Sequence, residues 1–147
     1  MNLIQKVEYW GDTHHPQWLD ILRIALGIFI FIKGVLFIAD TNSVLRLLED
    51  TAFQPNAWAI IHYVAFAHLV GGIFIAFGLL TRIFVVFQLP ILIGAVFFVN
   101  LTNGLSYLNS ELWVSVLVLI LLLVFLVVGS GSGTYSTDGL IKRRRSF

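Results

Sequence analysis

Ala57–Arg82, AWAIIHYVAFAHLVGGIFIAFGLLTR, is the stretch that decides the fold. Its first 24 residues, Ala57–Leu80, carry no formal charge. At ~1.5 Å rise per residue they reach ~36 Å as a helix, enough to cross a ~30 Å hydrocarbon core with some tilt. The stretch holds two of the four histidines, His62 and His68, and a Gly71-Gly72 pair. Ala67/Gly71 and Gly72/Ala76 are small residues four apart, the spacing that lets helix backbones approach closely in a membrane.

Outward from this segment the same character repeats. The chain has 147 residues, 59% hydrophobic and 12% charged, with a mean hydropathy of +0.93. Soluble domains hold about 45–50% apolar and about 25% charged residues. The excess lies in long runs, so the sequence reads as a single polytopic membrane domain over residues 1–147 with no separate soluble unit. Spans are expected at about 19–39, 57–80, 83–101 and 111–128, with a basic tail at 129–147. Antiparallel spans with short connections make an all-α four-transmembrane-helix bundle. There is no cysteine, which excludes thiol relay chemistry, thiolate-held iron–sulfur clusters and covalent haem on this chain. Nothing in the composition points to nucleic acid.

Residues 1–18 are mostly polar and lack the basic, apolar and small-residue succession of a cleaved leader, so the first helix is expected to act as the insertion signal. Asp12, His14 and His15 make a weak metal motif without a spaced third ligand, and a solvated tail is the simpler reading; no metal site is expected. Between spans one and two, DTNSVLRLLEDTAFQPN reads as a surface-lying amphipathic helix capped by Ser43 and stopped before Pro55. Pro90 should kink span three and free a carbonyl that needs a partner. The interior of span four is nearly all Leu, Val and Ile and suits lipid.

The nine basic residues set the expected topology. Lys142, Arg143, Arg144 and Arg145 share a side with Arg82 and Lys6, while the opposite side has only Arg46. The positive-inside rule puts both termini in the cytoplasm. The basic tail also suits anionic lipid.

Polar residues inside the spans are the functional candidates. Arg23 and Lys33 both lie in span one, where a charge near the helix centre costs ~2.5–3.5 kcal/mol. Arg23 is within snorkelling reach of one end and lies on the stripe of Gly27 and Gly34, which turns it toward protein. Lys33 is ~9 Å from the other end and shares a face with Asp40, so it either snorkels toward Asp40 or serves a site. By depth, Lys33, His62, Asn100 and Glu111 group in the outer half, Arg23 and Gln88 in the inner half, and His68 near the midplane. His62 and His68 are six apart, ~120° around the helix, so they do not hold one metal or haem. Each histidine either hydrogen-bonds a neighbouring helix or serves a pocket. An apolar pocket with a few donors and exchangeable protons suits a quinone.

The segment HLVGGIFIAFGLLTRIFVVFQLPILIGAVFFVN, His68–Asn100, resembles the DoxX family of small four-helix membrane proteins. The shared features are His-x-x-Gly-Gly, then Gly-Leu-Leu-Thr-Arg as a turn, then the small pair Gly94-Ala95. Arg23, Gly27 and Lys33-Gly34 fit the family's first-helix pattern, and the run from Gly131 to Gly139 resembles its tail. The resemblance implies a four-helix bundle in a bacterial inner membrane. Some members are membrane subunits of redox enzymes, including a thiosulfate:quinone oxidoreductase, and others belong to oxidative-stress complexes. It assigns no catalytic residue here. With no prosthetic-group motif on this chain, a redox role implies a partner subunit and a quinone. The competing readings are a non-catalytic accessory or lipid-binding subunit and a proton or solute path along Lys33 and His68.

Overall fold

The computed structural model describes residues 17–49, 51–100 and 110–128, with isolated positions at 2, 3, 6, 9, 140, 141, 144 and 145. Every element among them is helical: α1 Gln17–Ala39, α2 Thr41–Glu49, a 3-10 turn Gln54–Asn56, α3 Ala57–Phe77, α4 Thr81–Gly94, a π-helical continuation Ala95–Asn100, and α5 Ser110–Val128. Two helical runs, Gln17–Ala39 and Gln54–Phe77, are long and apolar enough to cross a membrane. Thr81–Phe97 and Leu112–Val127 are shorter apolar helices. The basic tail at Lys142 and Arg143, and the His14-His15 pair, lie outside the described residues.

The tightest interface is α1 against α3. Glycines explain it. A Cβ on Gly72 would lie 2.7 Å from the Phe31 nitrogen and 2.8 Å from the Gly27 carbonyl oxygen. A Cβ on Gly27 would strike the Ala76 and Gly72 backbones, and one on Gly34 would lie 2.8 Å from the His68 Cβ. Backbone-to-backbone contact at this range exists only where there is no side chain. Gly71 faces elsewhere: its missing Cβ makes room for Gln88 of α4, whose amide nitrogen would otherwise be 2.8 Å away. The adjacent glycines thus serve two different helices, as their ~100° offset requires.

The chain reverses between α3 and α4 within GLLTR. Gly78 adopts a left-handed conformation at φ 69°, and Leu79 N–H closes onto the Phe74 carbonyl at 3.0 Å, the C-terminal cap that favours glycine. Leu80 is also left-handed, at φ 49°, which costs about 1–2 kcal/mol in a residue with a Cβ. Its carbonyl accepts from Ile83 and Phe84 N–H and so starts α4. The buried core runs through Leu19, Leu26, Ile30, Ile75, Val85, Val118, Leu122 and Phe125.

The predicted amphipathic helix forms as α2, but its cap is Asp40 rather than Ser43. The Asp40 carboxylate accepts the Ser43 N–H at 3.3 Å. Asp40 directly precedes the first helical residue, which places its carboxylate on the third exposed N–H of the turn. Pro90 lies inside α4 and deprives the Val86 carbonyl of its helical donor. The next carbonyl, that of Phe87, accepts the Tyr63 hydroxyl at 2.8 Å, so a side chain from α3 supports the proline-weakened turn.

Candidate functional site

The polar residues fall into two groups. At one end of the α1–α3 pair, Arg23 and Asp20 are fully buried and joined through Nη1 and Oδ1 at 2.9 Å. They are three apart on one helix, adjacent on its surface. Arg23 faces protein, as the glycine stripe predicts, but its charge is matched by pairing rather than snorkelling. Asp20 was not singled out by sequence reasoning; an acidic residue one turn before an intramembrane arginine was the available signal. Near this end Thr81 is also buried, and its hydroxyl has no hydrogen-bond partner among the described residues.

The second group lines a cavity of about 450 Å³, within the ordinary size range of small-molecule sites. Phe29, Lys33 and Phe37 of α1 form one wall, and Tyr63, Val64 and His68 of α3 another. Gln88 and Pro90 of α4 and Val114, Ser115 and Val118 of α5 complete it. Val44 and Leu48 of α2, with Phe53 after it, border the space as well. A Cβ on Gly94 would meet nothing within 4 Å, because this glycine also lines the cavity.

Each polar group has a defined posture. The Lys33 ammonium lies 5.8 Å from the centroid of the Phe29 ring, a cation–π distance. The His68 Nδ1 is 2.9 Å from the Val64 carbonyl oxygen, and its ring stacks on Phe37 with centroids 6.5 Å apart and planes 8° apart. Gln88 is fully buried and donates its amide N–H to the Ala67 carbonyl. Tyr63 donates to Phe87. The Asp40 carboxylate is engaged by Ser43, and the Lys33 ammonium lies over Phe29.

The structure therefore brings together Lys33, His68 and Gln88, which depth along the helices had separated. His62 stands apart. It is exposed, packs its ring at a tilt against Trp58 with centroids 4.1 Å apart, and bonds the Trp58 carbonyl at 2.8 Å through Nδ1. Depth fixed its level but not its direction, and the ~120° offset from His68 turns it away. Arg23 belongs to the other end. The side chains of Asn100 and Glu111 lie outside the described residues; the Asn100 backbone ends the π-helical segment and that of Glu111 lies in the first turn of α5. Tyr63 and Ser115 were missed, having no charge to draw notice. Among the described residues no three His, Asp or Glu side chains gather as a metal site.

No curated protein and no solved structure matches the chain significantly. A family model does: DoxX, over residues 18–101. That range holds α1 to α4 and most of the cavity's polar side chains, and spans more than half of the sequence. The chain belongs to the DoxX family of small integral membrane proteins.

Proposed function

We propose that this protein is a four-span subunit of a bacterial inner-membrane redox complex, and that its cavity binds a quinone-type ring. The four spans are α1, α3, α4 with its π-helical continuation, and α5, with both termini cytoplasmic. Charge supports this orientation, since Arg82 and the Lys142–Arg145 run then share the cytoplasmic side. The observation that carries the ligand reading is the cavity itself. It is mostly apolar-walled, of ring-sized volume, and holds Lys33, His68 and Gln88 with aromatic side chains beside them. A quinone needs such a slot, with polar groups at its oxygens. Electrons would come from a partner subunit.

The test is a titration of the protein in phospholipid nanodiscs with a short-tailed benzoquinone. Saturable one-site binding is expected, weakened at least ~10-fold by Lys33→Met with His68→Leu, the loss of about 1.4 kcal/mol or more. His62→Leu should leave it unchanged. Absence of saturable binding would sink the reading. The second reading, an accessory or lipid-binding subunit, draws on the broad apolar face of α5, where Trp113, Leu117, Ile120 and Leu123 are exposed. Native purification that yields a non-redox assembly with phospholipid alone would favour it.

A further inference from the structure

Three of the polar side chains in the cavity turn a donor back onto a backbone carbonyl. His68 Nδ1 meets Val64, the Gln88 amide meets Ala67 and the Tyr63 hydroxyl meets Phe87. A carbonyl oxygen can only accept, so Nδ1 of His68 carries the hydrogen. In the neutral ring the lone pair is then on Nε2, at the opposite edge. Nε2 has no hydrogen-bond partner among the described residues. By the same logic Gln88 retains its Oε1, with one further amide hydrogen, and Tyr63 retains only the acceptor face of its oxygen. Lys33 differs in kind: an ammonium has three donors and no acceptor, and it borders the same cavity.

From this inventory we infer that the cavity selects the reduced, hydroxyl-bearing form of its ring ligand, a quinol or other phenol, over the oxidised quinone. The inference rests on the ring-binding reading above and specifies its ligand. One ring hydroxyl donates to His68 Nε2, and an oxygen elsewhere on the ring accepts from the Lys33 ammonium. An oxidised quinone presents two carbonyls and no donor. Lys33 and the second Gln88 amide hydrogen can serve those carbonyls, but the His68 lone pair then faces an acceptor once the ring covers it, and a polar atom left unmatched on binding is what such sites reject most strongly. The stacked Phe37 ring holds the imidazole in the plane that Val64 sets, so the acceptor is fixed before the ligand arrives.

The experiment compares three probes built on one ring in wild-type nanodiscs under anaerobic conditions: a short-tailed benzoquinone, its two-electron-reduced quinol, and the dimethyl ether of that quinol, which has no O–H and is larger by two methyl groups. The quinol should bind at least ~10-fold more tightly than the quinone, the scale of one good hydrogen bond in a dry site. The ether should lose that advantage. His68→Leu should bring quinol down to quinone, while Lys33→Met should weaken both and keep the quinol preference. Quinone binding as tight as or tighter than quinol would overturn the inference while leaving the ring-binding reading intact. Ether binding as tight as quinol would also overturn it. Failure of all three probes to bind would overturn the ring-binding reading and the inference with it. The wild-type ratios decide the matter even if a variant does not fold.

Discussion

The two ends of the α1–α3 pair solve opposite problems with the same two helices. Around Gly27, Gly72 and Ala76 the backbones touch and no space remains. Around Lys33 and His68, one side of the pair opens on the cavity, bordered by Phe29, Phe37 and Tyr63. Gly34 lies at the junction, packed on the His68 Cβ. Charge follows the same division. In the closed region Arg23 is matched within its own helix by Asp20; in the open region Lys33 faces an aromatic ring and a void. A fully buried charge is tolerated where a close partner matches it, as Asp20 matches Arg23; Lys33 is only half-buried, at the edge of the cavity.

The comparison breaks most completely if the closed end is forced apart. Gly27→Leu places a side chain inside the Ala76 and Gly72 backbones. Overpacking ordinarily costs about 1–3 kcal/mol and more where backbone must move; here the expected result is loss of the monodisperse protein peak on size-exclusion in mild detergent. Next comes the ion pair. Arg23→Met strips the fully buried Asp20 of its guanidinium, at an expected cost of about 3–5 kcal/mol. The double variant Arg23→Met with Asp20→Leu should recover most of this, as read by thermal unfolding. Recovery would establish the pair as a packing device; continued loss of stability in the double variant would show that the charges serve something further.

The open end should respond differently. Gln88→Leu removes a hydrogen bond to Ala67, worth about 0.5–1.5 kcal/mol, a shift measurable as a small fall in melting temperature. Its fold should survive because the main-chain ladder of α3 does not depend on that amide. The smallest effect belongs to His62→Leu. The residue is exposed and, among the described residues, bonds only along its own helix, so stability should change by less than about 0.5 kcal/mol and ring binding not at all. A large binding loss at His62 would place the ligand elsewhere and dissolve the contrast between the two histidines.

Much of this was legible in one dimension. Apolar runs located the helices to within a few residues, since the need to satisfy backbone groups in lipid leaves little alternative. Spacings of four and seven residues put Arg23, Gly27 and Gly34 on one stripe, and GLLTR marked the reversal at Gly78. The site was legible in its residue types and not in its membership. Depth along a helix is a sum of rises and transfers from sequence; azimuth between helices depends on how neighbours pack. Depth alone placed Lys33 beside His62 and Gln88 beside Arg23, while packing set Lys33, His68 and Gln88 around one cavity. Asp20 escaped notice because a carboxylate near a helix end looks solvated until a bundle closes over it.

By itself, then, the sequence determined an all-helical membrane protein of the DoxX family, its close-packing glycines and its short list of intramembrane polar groups, because each follows from local spacing and transfer cost. The tertiary structure decided which of those groups share a space and which atoms they turn toward it. Val64, Ala67 and Phe87 take the hydrogens of His68, Gln88 and Tyr63. Two of these bonds link α3 to α4, where residues more than 20 positions apart meet only after the helices have packed.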